Sequence, residues 1–125
     1  MDQPESPALS EFLAQYEPPV QQLVRLARRR ILDVILGLEE FVDPASKIIA
    51  YGASPKYRDL LCAVAPYRAY ANLIFSRGVD LPDPHRLLRG AGKRARHVAL
   101  RAPEDLAHPG IVALLQAAAE LAREK

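Results

Sequence analysis

Two apolar runs with a single turn between them set the limits on this chain. Residues 59–65 (DLLCAVA) and 70–77 (YANLIFSR) are each the length of a strand, and only residues 66–69 separate them. A link that short joins antiparallel strands, because a parallel crossover needs about a dozen residues or more. The first run is apolar without alternation, which predicts a strand buried on both faces. In the second, Ala71, Leu73 and Phe75 share one side, and Asn72, Ile74 and Ser76 share the other. This pair is expected at the centre of an antiparallel sheet.

The flanking segments read mainly as helix. Ser6-Pro7 has the form of an N-cap followed by proline at the first helical position, with Leu9, Phe12, Leu13 and Tyr16 on one face. Pro18-Pro19 ends that helix near Glu17. A second helix is expected from about Val20 to Gly37, with Leu23, Leu26, Ala27, Arg30, Ile31, Val34 and Ile35 at three-and-four spacing. Asp43-Pro44 is a further helix-start signal, with Ala45, Ile48 and Ile49 following. Residues 52–58 read as a turn or edge strand, since Pro55 cannot donate to a ladder. Beyond the central pair, residues 78–84 form a loop, Asp83-Pro84 starts one helical turn carrying Leu87 and Leu88, and residues 97–100 form a short strand. Pro109 opens a last helix to about Ala122. The expected class is α+β: an antiparallel β-sheet flanked by N-terminal helices and a C-terminal helix in one domain, residues 1–125.

Half of the residues are hydrophobic, enough for a core, but with no Trp and three Phe that core is built from small aliphatic groups and tyrosines. A net charge of +2 does not by itself call for nucleic acid or membrane. The distribution is uneven. Arg77, Arg86, Arg89, Lys93, Arg94, Arg96 and Arg101 follow Phe75, and up to Arg101 only Asp80 and Asp83 oppose them. The single cysteine, Cys62, excludes an internal disulfide and lies in an apolar run that buries it. The first residues carry no signal pattern and no apolar run approaches the ~20 residues of a membrane span, so a cytoplasmic protein is expected.

Few stretches could carry chemistry. Gly90-Ala-Gly92-Lys93-Arg94 fails the Walker pattern, which needs Gly at position 87 and Ser or Thr at 94, where Leu and Arg stand. What remains is flexible backbone beside Lys93, Arg94, Arg96 and His97, able to wrap a small anion. The same cations could instead pair with Asp80, Asp83, Glu104 and Asp105 and pin a loop to the sheet. His85, His97 and His108 have no paired spacing for a metal, and no nucleophile–base set is visible.

Tyr51-Gly52, then Asn72-Leu73, Phe75, Arg77-Gly78, Leu81-Pro82-Asp83-Pro84, Leu88, Gly90, Gly92-Lys93-Arg94 and Arg96-His97-Val98, in that order, resemble the motif of the YdhG-like family of bacterial domains. The likeness covers about residues 20–122. It implies a compact α+β domain with helices before and after an antiparallel sheet. By analogy with a relative described as a frataxin-like iron chaperone, it also implies iron as the one cofactor to consider. Tyr51 stands where the family often has Trp, and the motif region is basic where frataxin-like proteins are acidic. The expected function is a non-catalytic binding domain for a small anionic ligand, with iron binding as the alternative. Its candidate site is Tyr51, Tyr67, Arg77, Lys93, Arg94, Arg96 and His97. No nucleic acid and no membrane partner is expected.

Overall fold

A computed structural model describes residues 3–124. Helix α1 (Pro7–Leu13) begins where Ser6 Oγ accepts the Leu9 N–H at 3.1 Å, with Pro7 in the first turn where its missing N–H costs nothing. Helix α2 (Pro18–Val34) starts on the proline pair itself and buries Val20, Leu23, Val24, Ala27 and Ile31. It stops before Gly37, whose φ of +82° is a conformation that glycine adopts without steric cost.

Five strands follow: β1 (Glu39–Asp43), β2 (Ile48–Gly52), β3 (Leu60–Pro66), β4 (Ala71–Phe75) and β5 (Arg96–Leu100). They form one antiparallel sheet in the order β1-β2-β3-β4-β5, so every strand pairs with its neighbour in sequence. The expected central pair is the β3–β4 hairpin, in register Cys62↔Phe75 through Pro66↔Ala71. Helix α3 (Pro109–Arg123) closes the domain.

Two expectations are corrected. Residues 43–49 hold no helix: residues 44–47 are the turn of the β1–β2 hairpin, and Ile48 and Ile49 already belong to β2. Asp43 Oδ1 accepts the Ser46 N–H at 3.2 Å, the bond an N-cap would make, but Lys47 then takes φ +58° and sends the chain back as β2. Residues 83–88 form a turn rather than a helical turn: Asp83 takes the N–H groups of Leu87 and Leu88, each at 2.9 Å, and Arg86 sits at φ +55°.

The three helices bury their apolar stripes in one cluster with Ile49, Tyr51, Cys62, Val64, Ala71, Leu73, Phe75, Val98 and Leu100, which all point to the same side of the sheet. Burial pushes the Cys62 thiol up to about 12. The helix layer is tied to the sheet edge by a polar clasp. Glu40 Oε2 on β1 accepts both Arg28 Nε from α2 at 2.6 Å and the Tyr51 hydroxyl from β2 at 2.7 Å. Among the described residues, no helix is long and apolar enough to cross a membrane.

Candidate functional site

The sheet has two unlike ends. At one, β2 and β4 finish while β3 and β5 begin, and the loops 53–59 and 76–95 meet there. The first loop folds back tightly because Gly52 lies against the Asp59 carbonyl, leaving no room for a Cβ, and the register of β2 on β3 shifts at this point. Ser54 Oγ then donates to Asp59 Oδ2 at 2.7 Å and accepts from the Lys56 N–H at 3.1 Å. That fixes the 3-10 turn Tyr57–Asp59 and holds Arg58 at the rim.

The second loop leaves β4 at Ser76-Arg77 and turns at once through the 3-10 turn Gly78–Asp80. A Cβ on Gly78 would stand 2.7 Å from the backbone nitrogen of Arg96, so only glycine allows the loop this close to β5. The Val79 N–H donates to the Arg94 carbonyl at 2.9 Å, which brings the Lys93-Arg94 segment to the same end.

Between these loops and the C-terminal half of α3 lies a cavity of about 210 Å³. Leu60, Phe75, Leu81, Ala118 and Leu121 form apolar walls; Arg58, Asp59, Ser76 and Arg77 stand among the remaining lining residues. Arg77 Nε lies 3.4 Å from Asp80 Oδ2, with both side chains about half exposed (50% and 51%), so this guanidinium is lightly held. The arrangement suits a small molecule with an apolar body and a negatively charged end.

The seven residues singled out in the sequence do not gather at one point. Arg77 lines the cavity. Lys93 and Arg94 are exposed on the adjoining loop. Arg96 turns its guanidinium back on that loop, donating to the carbonyls of Gly92 and Ala95, and acts as a brace. His97 is half-buried on the opposite face of the sheet, where its backbone bonds reciprocally with Arg89 at 2.7 and 2.9 Å.

Tyr51 is fully buried, and its hydroxyl belongs to the clasp; burial and the neighbouring Glu40 carboxylate hold its pKa far above the usual phenol value. Tyr67 is at the other end of the sheet, stacked on Tyr70 at 4.9 Å, where the Arg101 guanidinium lies 4.6 Å above the Tyr70 ring.

The carboxylates proposed as braces for this cluster are mostly used elsewhere. Asp83 caps its own turn, and Asp105 accepts the N–H groups of Arg101 and Ala102. Of the described ion pairs, only Arg77–Asp80 belongs to the basic stretch.

Sequence reasoning missed Arg58 and the apolar walls. Arg58 follows a Ser-Pro turn with nothing to mark it as more than a solvated charge. Ala118 and Leu121 were legible as a core stripe, but not as a stripe that outruns the sheet beneath it. His85 and His108, distant in sequence, come to 5.1 Å between ring centroids, and His108 Nδ1 accepts the Gly110 N–H at the start of α3. Among the described residues, no three His, Cys, Asp or Glu side chains gather closely enough to hold a metal ion. Comparison of the chain with protein-family models, curated proteins and solved structures finds no match.

Proposed function

We propose that the protein is a non-catalytic cytoplasmic domain that binds a small amphipathic anion, its apolar part in the cavity and its carboxylate or similar head between Arg58 and Arg77. The observation that supports this reading is the pairing of an apolar cavity with two rim guanidinium groups, backed by Lys93 and Arg94 on the adjoining loop. Asp59, bonded to Ser54, and Asp80, beside Arg77, balance the two rim arginines in formal charge, so the positive excess at this end comes from Lys93 and Arg94. The likeness to the YdhG-like motif fits a small domain of this kind and adds no ligand.

The magnitudes set what to look for. Burying about five methylenes at ~0.8 kcal/mol each supplies ~4 kcal/mol, which alone corresponds to millimolar binding. One or two charge-assisted contacts, reduced for their exposure to roughly 1 kcal/mol apiece, bring this to tens or hundreds of micromolar. The test is calorimetry and thermal shift with straight-chain carboxylates of about six to ten carbons, their methyl esters and inorganic phosphate. The carboxylates should bind and the esters should bind about five- to thirtyfold more weakly, with Arg58→Ala/Arg77→Ala removing the difference. Equal affinity for acid and ester, or a carboxylate response unchanged in the double variant, overturns the reading.

A further inference from the structure

The face of the sheet turned away from the helices breaks a simple rule. An antiparallel sheet with one solvated face alternates apolar-in and polar-out. Here the outward positions of β2, β3 and β4 away from the end bulge are Ile48, Ala50, Ala63, Ala65, Asn72 and Ile74, with one polar side chain among them. None of these belongs to the core cluster beneath the helices. Ala50, Ala63 and Ala65 are only 4%, 9% and 5% exposed, and their side chains are single methyl groups, so the centre is apolar and carries no long side chain. Asn72 Oδ1 is buried at this face without a hydrogen-bond partner.

Among the described strand residues of this face, the ionisable groups stand at the two margins, acidic on one side and basic on the other. On β1 the outward residues around Phe41 are Glu39 and Asp43. On the β5 side they are His97, Arg89 bridged beside it, and Arg101 just past the strand end. A surface acidic along one margin and basic along the other does not suit a polyanion or an anionic membrane, which would require one sign. It suits a copy of itself.

We propose that this face is the interface of a symmetric homodimer, two sheets packed face to face about a two-fold axis that runs along β3. Such a rotation keeps strand direction and exchanges left with right. It lays β1 of one copy over β5 of the other, β2 over β4, and β3 over itself, within the aligned packing that twisted sheets adopt. Phe41 then lies over His97, and Glu39 and Asp43 to either side of it face the margin that carries Arg89 and Arg101, twice over. Ile74 falls opposite Ala50, a large group over a small one, and the β3 alanines let the sheets approach. The other two-fold axis, perpendicular to the strands, would set β1 on β1 and β5 on β5 with like charges opposed. The charge pattern therefore selects one geometry.

Five strands about 4.8 Å apart and five residues at about 3.4 Å give a face of roughly 24 by 17 Å, or about 400 Å² in projection. That is small beside the ~800 Å² per partner of a standard interface, so the dimer is weak and concentration-dependent. The cavity opens at the sheet end on the helix side, and dimerisation leaves it clear.

The test is sedimentation velocity between about 1 μM and about 1 mM protein, with circular dichroism to confirm that each variant is folded. The native protein should move from the mass of one chain to that of two across this range. Ala63→Arg, at the centre of the face, should stay monomeric throughout. Glu39→Lys/Asp43→Lys, with both margins basic, and Arg89→Glu/Arg101→Glu, with both acidic, should each be monomeric alone. Mixed in equal amounts, they should form a one-to-one heterodimer. A native protein that is monomeric throughout overturns the proposal. So does a dimer that survives Ala63→Arg, or a pair of folded charge variants that do not associate on mixing.

Discussion

Neutralising the clasp of Arg28, Glu40 and Tyr51 gives the sharpest test of how the helix layer is held to the sheet. One carboxylate oxygen receives both donors, at 2.6 and 2.7 Å, and the Arg28 and Glu40 side chains are only 12% and 9% exposed. Burial works against the charge on Arg28, and the Glu40 carboxylate more than offsets it, leaving the guanidinium pKa above its usual value. Replacing Glu40 with Leu strands a desolvated cation and a buried phenol. A partner removed from a buried pair costs about 3–5 kcal/mol. The remaining Arg28 bond to the Pro4 carbonyl and the residual exposure bring the expected loss to about 3 kcal/mol. Arg28→Met should cost somewhat less, about 2 kcal/mol, because the carboxylate keeps the Tyr51 hydroxyl. In Arg28→Met/Glu40→Leu no charge is left, and only the phenol lacks its partner, a loss of about 1–2 kcal/mol. The double variant should therefore be more stable than Glu40→Leu alone. Urea unfolding followed by circular dichroism and tyrosine fluorescence measures all three. If the losses simply add, with m unchanged, the clasp is not a coupled unit and the argument is wrong.

Three further outcomes are expected. Gly52→Ala should lose about 2–3 kcal/mol, because its Cβ would meet the Asp59 carbonyl and stand 2.7 Å from Leu60 Cα; a loss below about 0.5 kcal/mol in urea unfolding would contradict the close approach. The Arg25 hydrogen bond, with help from Ser10, holds Glu5 down at about 2 from 4.5, so its contribution is complete above pH 4.5 and lost as pH falls toward 2. Discounted for exposure it amounts to about 1 kcal/mol, and an acid titration of stability should show that much less loss in Glu5→Gln than in the native protein. Cys62, with its thiol pushed up to about 12 by burial, should resist a thiol reagent at pH 8 until urea opens the fold; rapid labelling of the native protein would refute its enclosure.

The parts of this architecture that could be read from the sequence are those where local chemistry and tertiary packing agree. Ser6-Pro7 caps α1 as its residue types require, and Pro109 opens α3. The short link after Pro66 enforces β3 against β4, whatever else surrounds them. The β1–β2 hairpin escaped because Asp43-Pro44 with Ser46 makes the same side-chain bond at a turn as at a helix start. Only the following residue, Lys47 at φ +58°, decides between them, and lysine carries no mark of that conformation. The candidate site was legible as a region of positive charge but not as a geometry. Adjacent cations separate when one braces its own loop, as Arg96 does, and the next faces the far side of the sheet, as His97 does. Arg58 comes to the same sheet end as Arg77 because β3 pairs with β4 there, the Ser76 N–H donating to the Leu61 carbonyl at 3.0 Å, and nothing in the charge pattern shows that both line one cavity.

The strand order β1-β2-β3-β4-β5 has a kinetic meaning. Each hairpin closes over a short span of chain, so the loop entropy lost at each step is small and pairing can spread outward from whichever turn forms first. The exception is the join between β4 and β5, which must wait for the long loop 76–95. Helix α3 follows that join in the chain, and its contacts with α2 and β3 all span long stretches of sequence, so it is expected to dock late. It also supplies one wall of the cavity, through Ala118 and Leu121. If α3 is also the first part to loosen, transient opening of the native state would unroof the cavity there and give a ligand its way in; hydrogen exchange faster in residues 109–123 than in β3 and β4 is the expected sign.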